Sequence, residues 1–247
     1  MKDSKEENRI IIDGKEYEAD TRGGKPVYGS ENIETISDVK YLRMYDLQYA
    51  QGRHYFEASR KPLKDLAALK SDEEFRAMIP DAVSIAVVVI CSGEPPKLLM
   101  NYEYRYPVGQ YLLSPVAGLI DPEDREAENP LVEAAVREIH EEIGLTVKPT
   151  DEIRVINPCA LSTPGMTDES NAFLCAQIHL DNVRDVRQDG AVGSELFAGF
   201  ELIDIKEAER LYNSGRDRYG NFFSLATWAV LGYFLRQYGG VSENTEI

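Results

Sequence analysis

Apolar positions cluster in two unequal blocks. From Pro80 onward the pattern is dense: Val83 to Ile90 is a continuous β-branched run, as in a strand buried on both faces. Lys97 to Tyr104 follows the Gly93-Glu94-Pro95-Pro96 turn signal as its pairing partner, and Gln110 to Val116 forms a further short strand running into Ala117-Gly118. The period then changes. Over Pro130 to Ile143, residues Val132, Ala135, Val136, Ile139 and Ile143 fall on one arc at helical spacing. Asn129 suits the cap of that helix, Pro130 its first position and Gly144 its left-handed stop. Strands are predicted at Glu152 to Asn157, Asn171 to Leu180 and Glu195 to Ile205, and helices at Lys206 to Asn213 and Ser224 to Tyr238.

The first block is more polar. Met1 to Ser37 reads as a loosely held arm with one short strand at Ile10 to Ile12 before an Asp13-Gly14 turn. Val39 to Tyr49 and His54 to Ser59 are aromatic-rich and predict a hairpin, followed by a short helix over Asp72 to Ile79. The expectation is an α+β chain: an N-terminal antiparallel β-rich region over residues 1–79, and a mixed sheet between helices over 80–247.

Composition narrows the function. Forty-three acidic residues against 27 basic ones give a net charge of −16, which repels a phosphate backbone and argues against a nucleic-acid partner. The longest apolar run, Ala82 to Cys91 interrupted only by Ser84, is about half the roughly 20 residues a bilayer span needs. The first residues lack the apolar segment of a secretory signal, so a cytoplasmic location without membrane attachment is expected. Cys91, Cys159 and Cys175 are odd in number and far apart, which suits reduced thiols better than disulfides or a zinc site. His54, His140 and His179 are equally scattered.

The densest chemistry lies on the amphipathic helix, in Arg137-Glu138-Ile139-His140-Glu141-Glu142-Ile143-Gly144-Leu145. Glu138 and Glu142 stand one turn apart, with Glu141 flanking them. On a bare helix these carboxylates repel, whereas clustered hard oxygens are what Mg²⁺ selects, with Mn²⁺ as a substitute. A solvated charged face is the plain alternative.

This segment, preceded by Ala117-Gly118-Leu119-Ile120-Asp121, resembles the Nudix box of diphosphate hydrolases. That pattern runs Gly, five residues, Glu, seven residues, then Arg-Glu-aliphatic-x-Glu-Glu-x-Gly-aliphatic. Here Gly118 stands 19 residues before Arg137, five more than the pattern allows. Counting back from Arg137, Asn129 occupies the early glutamate's place, with Glu126 and Glu128 the nearest glutamates.

The resemblance extends over roughly residues 39 to 238 and favours the ADP-ribose pyrophosphatase branch. It rests on Asn101-Tyr102-Glu103-Tyr104-Arg105-Tyr106-Pro107-Val108-Gly109 before the box and on Ser162-Thr163-Pro164-Gly165-Met166-Thr167-Asp168-Glu169 after it. It implies a Nudix-type α/β/α sandwich and a homodimer formed through the N-terminal sheet. Glu138, Glu142 and the main-chain oxygen of Ala117 would be metal ligands. Glu169 would be the general base, and Glu141 a further ligand or base. Arg60, Arg105 and Leu119 would contact substrate. Tyr102, Tyr104 and Tyr106 would stack on adenine or simply pack. The implied reaction splits ADP-ribose into AMP and ribose 5-phosphate. UDP-glucose or GDP-mannose hydrolysis, and a sensor that binds ADP-ribose without cleaving it, remain alternatives.

Overall fold

The computed structural model describes residues 9–12, 15–18, 29–181, 186–188 and 196–241. The chain divides into two units, residues 1–75 and 76–247. In the first, β1 (Arg9–Ile12) pairs with β2 (Lys15–Glu18); the Asp13-Gly14 turn signal lies outside the described residues. An antiparallel sheet follows in the order β3 (Ile33–Val39), β4 (Leu42–Ala50), β5 (Arg53–Ser59). The hairpin read from the sequence is present as β4 and β5, but Val39, expected at its start, ends β3, an additional strand. Its residues, Ile-Glu-Thr-Ile-Ser-Asp-Val, are too polar to separate from the arm before them. Tyr45 and Leu47 of β4 bury one face with Ile33 and Leu66. Helix α1 is shorter than expected, Asp72–Arg76.

The second unit is built on a seven-stranded mixed sheet. β6 (Ala82–Ile90) lies at its centre, with β11 (Ser170–His179) parallel on one side. β7 (Lys97–Arg105) and β9 (Val116–Leu119) are antiparallel to β6. β8 (Gln110–Ser114) and β12 (Phe197–Ile203) pair with β7, and β10 (Glu152–Leu161) with β11. Alternation along β6 explains its continuous apolar run. Val83, Ile85, Val87 and Val89 pack with Ala135, Ile139 and Ile143 of α3 (Pro130–Ile143). Ala86 and Val88 turn the other way, to α4 (Ile205–Ser214) and α5 (Leu225–Tyr238), where Leu211, Leu231 and Phe234 are buried. The result is the α/β/α sandwich expected, with α3 alone on one face of the central strand and the α4–α5 pair on the other.

Two differences from the sequence reading trace to proline. The strand expected over Gln110 to Val116 is two strands, β8 on β7 and β9 on β6, separated by Pro115, which offers no N–H to a ladder. β10 continues past its expected end at Asn157 to Leu161, and Pro158 sits inside a register shift between Asn157 and Ala160, where a bulge tolerates it. A one-turn helix α2 (Pro122–Arg125) was also not anticipated.

Candidate active site

Helix α3 begins and ends where the sequence placed it, although Asn129 caps it differently. Its side chain makes no capping bond; its carbonyl instead accepts the N–H groups of Val132 and Glu133. At the other end Gly144 takes the left-handed conformation, φ 68°, and its N–H reaches the His140 carbonyl. Between these ends the apolar arc faces the sheet, and the carboxylates beside it turn toward β9.

Glu138 and Glu142 are 5% and 3% exposed, so they are not a solvated face. Glu142 is held through both oxygens: Oε1 accepts the Ala117 N–H at 3.1 Å and Oε2 accepts Asn101 Nδ2 at 2.6 Å. Gln188 Nε2 in turn donates to Asn101 Oδ1 at 2.8 Å. The carboxylate of Glu138 lies against the bare Cα of Gly118, filling the space that a Cβ there would need. A Cβ at position 118 would push the Glu138 carboxylate aside.

Arg137 binds these pieces together. Its Nε and Nη2 donate to Asp124 Oδ2 at 3.3 and 2.9 Å, and its Nη1 to Glu138 Oε1 at 2.7 Å and Glu141 Oε2 at 3.0 Å. A second Nη2 bond, 2.7 Å long, reaches the Leu119 carbonyl. These contacts match the five N–H donors of a guanidinium. Burial opposes its charge, but Asp124 and Glu138 more than compensate and hold it protonated. Burial likewise works against ionised Asp124. The bonds from Arg137 and the Asp121 N–H outweigh it and hold the Asp124 carboxyl below the usual range.

Asp124 is the residue that backward counting from Arg137 overlooks. It is the sixth residue after Gly118, the place of the early glutamate when the pattern is counted forward, and the five extra residues fall between it and Arg137. Neither Glu126 nor Glu128 replaces that glutamate; both are exposed. Asn101 also carried a signal, as a polar residue following Leu98, Leu99 and Met100 in a buried strand, whereas Gln188 had none.

Register orders the remaining candidates. Ala82 of β6 pairs with Leu119 on one side and Asn171 on the other, so the 162–169 loop before β11 reaches the same sheet end as the approach to the box. Asp81 ties them: its N–H donates to the Ser170 carbonyl, its Oδ2 accepts from Ser170 N and Oγ at 2.9 Å each, and its carbonyl accepts from Ile120 N. The loop closes on itself through Ser162 N to Glu169 O, and Glu169 is half-buried. Leu119 is exposed. Arg105 lies on the same β7 face as Asn101, about 13 Å further along by strand rise, and its Nη2 meets Glu103 Oε2 at 2.6 Å. Tyr102, Tyr104 and Tyr106 do not share that side. Tyr102 belongs to the core under α4 and α5, and Tyr104 meets Tyr106 and Tyr111 edge-on at 5.0 and 5.2 Å. Arg60 belongs to the first unit, just after β5, where its carbonyl accepts from Arg43 Nη1 at 2.8 Å.

The carboxylates of Glu138, Glu141 and Glu142 offer oxygen donors only, and Glu138 lies hard against the main chain at Gly118; donors of this kind suit a cation such as Mg²⁺. Among the described residues no three acidic, histidine or cysteine side chains stand ready to enclose an ion, and Arg137 Nη1 donates to both Glu138 and Glu141.

No family profile matches the chain. An uncharacterised Nudix hydrolase of Schizosaccharomyces pombe is 29% identical over 151 residues, which cover 61% of this chain and 69% of that protein. Over that stretch the chain is similar to a Nudix hydrolase. A crystal structure of an ADP compounds hydrolase shares the fold at a TM-score of 0.50 and 17% identity, covering 85% of this chain and 95% of that one. A C. elegans Ap4A hydrolase overlaps at a TM-score of 0.42 and 15% identity, over 64% of this chain and 98% of its own.

Proposed function

We propose that this protein hydrolyses the diphosphate of a nucleoside diphosphate sugar, with ADP-ribose its substrate and AMP and ribose 5-phosphate its products. The observation that carries the reading is the buried pair Glu138 and Glu142, one turn apart, one clamped through both oxygens and the other fitted against Gly118. Two buried carboxylates repel an anionic diphosphate unless a cation stands between them. Bound Mg²⁺, or Mn²⁺ in its place, supplies that charge and polarises the phosphoryl oxygens. Glu138, Glu142 and the Ala117 carbonyl would hold it, with Glu141 as a further ligand or base. Arg137 keeps Glu138 and Glu141 in place and is too fully engaged to meet a phosphate itself.

The reacting groups come from elsewhere. Arg105, 44% exposed at its side chain and on the Asn101 face of β7, exchanges Glu103 for a diphosphate oxygen through its forked donors. Glu169 orients a water and takes its proton as the water oxygen bonds to one phosphorus and the bridging P–O bond breaks. Leu119 is a further substrate contact. Asp124, in the early glutamate's place, favours catalysis over a sensor that binds without cleaving.

A panel of ADP-ribose, UDP-glucose and GDP-mannose, assayed for products and for binding with and without Mg²⁺, tests the reading. ADP-ribose is expected to turn over fastest, and only with the cation. Faster turnover of another sugar reassigns the substrate; binding without product establishes the sensor.

A further inference from the structure

Val186 and Arg187 meet the carboxylate helix directly, and Gln188 reaches it through Asn101. Val186 is buried in the core that α3 forms with the sheet. The Arg187 N–H donates to the Ile143 carbonyl at 2.9 Å, satisfying one of the carbonyls left open at the end of α3. Arg187 main chain lies so near Gly144 that a Cβ there would come within 3.3 Å of its carbonyl. Gln188 then reaches Asn101, which reaches Glu142.

The chemistry of that last link is directional. Asn101 is fully buried, and its amide has two orientations of nearly equal shape. With Nδ2 toward Glu142 it donates to the carboxylate; flipped, its oxygen would face another oxygen with no proton between them. The Glu142 carboxylate, which can only accept, selects the first orientation, and Gln188 Nε2 completes it by donating to the Oδ1 left on the other side. Glu142 is thereby held in one rotamer, its charge offset by a neutral donor that leaves its negative charge in place for a cation.

We infer that Val186–Gln188 is a strap that sets the cation affinity of the box helix, acting on Glu142 through the buried Asn101. This rests on the metal reading proposed above. Asn101 and Gln188 are positioning residues: neither needs to touch cation or substrate, and each acts through the next.

The test is Mn²⁺ binding to the full chain, measured by the loss of free-ion electron paramagnetic resonance signal, with thermal unfolding recorded alongside. Asn101→Leu is expected to weaken Mn²⁺ binding by about 10- to 100-fold, the usual loss when the partner of a metal-ligating group is removed. Gln188→Ala, at a half-buried residue that the fold tolerates more easily, should weaken it in the same direction, and the double variant should be no weaker than Asn101→Leu alone, because the two lie on one chain of bonds. Wild-type Mn²⁺ affinity in Gln188→Ala, or strictly additive losses in the double variant, overturns the strap. If Asn101→Leu does not fold, Asn101→Ser and Gln188→Ala decide the same question. Glu142→Gln separates the two levels: wild-type Mn²⁺ binding in that variant refutes the metal reading itself, and the strap with it.

Discussion

Arg137 is the residue on which the site's geometry converges, since it joins α2, β9 and two carboxylates of α3. Its partner Asp124 gives that arrangement a pH signature. The folded-state pKa of Asp124 is lowered, so its contribution is fully present above the unfolded value, about 3.9, and is lost as pH falls through the folded value. Asp124→Asn should therefore be less stable than wild type near neutrality, and the gap should close as pH drops below about 4. Urea unfolding of both proteins between neutral and acid pH checks this; a gap that stays constant contradicts it. Asp124 also shows what was illegible in the residues. An insertion inside a motif leaves two ways to count, and only the fold reveals which carboxylate the arginine meets.

At the scale of elements, α3 was legible to the residue because its period, its Pro130 start and its Gly144 stop all agree. β6 was legible because burial on both faces leaves Ser84 as its single polar residue. The elements that escaped were those whose local signals conflict with tertiary pairing: β3, polar yet paired, and the strands broken or bulged at Pro115 and Pro158. The 162–169 loop was found as a motif, but its anchorage through Asp81 and Ser170 joins residues 89 apart in sequence and leaves no local trace. Function can be assigned within this layer by kinetics. Glu169→Gln should lower kcat and kcat/KM together by about 10² to 10⁴, with little change in KM, as expected for loss of a general base. Arg105→Ala should chiefly raise KM. Rescue of Glu169→Gln by high Mg²⁺ would make Glu169 a ligand, and an unchanged kcat would move the base to Glu141.

At the scale of the whole molecule, the first unit presents Tyr41, Leu42, Met44, Tyr55 and Phe56 to solvent on a three-stranded sheet. That is more apolar surface than such a sheet ordinarily leaves bare. The proposal that this unit pairs two copies of the chain predicts a dimer by light scattering at micromolar concentration; a fully active monomer removes it. The net charge of −16 bears on the same scale, because an anionic substrate must be drawn in by local arginines and a bound cation against the field of the whole protein. The central claim is that the α3–β9 carboxylates carry cation-dependent cleavage of a diphosphate. The most direct measurement is ³¹P nuclear magnetic resonance of ADP-ribose incubated with Mg²⁺ and either wild-type protein or Glu142→Gln. Wild type should convert the diphosphate resonances into those of two phosphomonoesters, and Glu142→Gln, still folded, should be slower by about 10² or more, in line with lost stabilisation of transition-state charge. Unchanged turnover in Glu142→Gln, or diphosphate resonances that persist with wild-type protein and Mg²⁺, would contradict it.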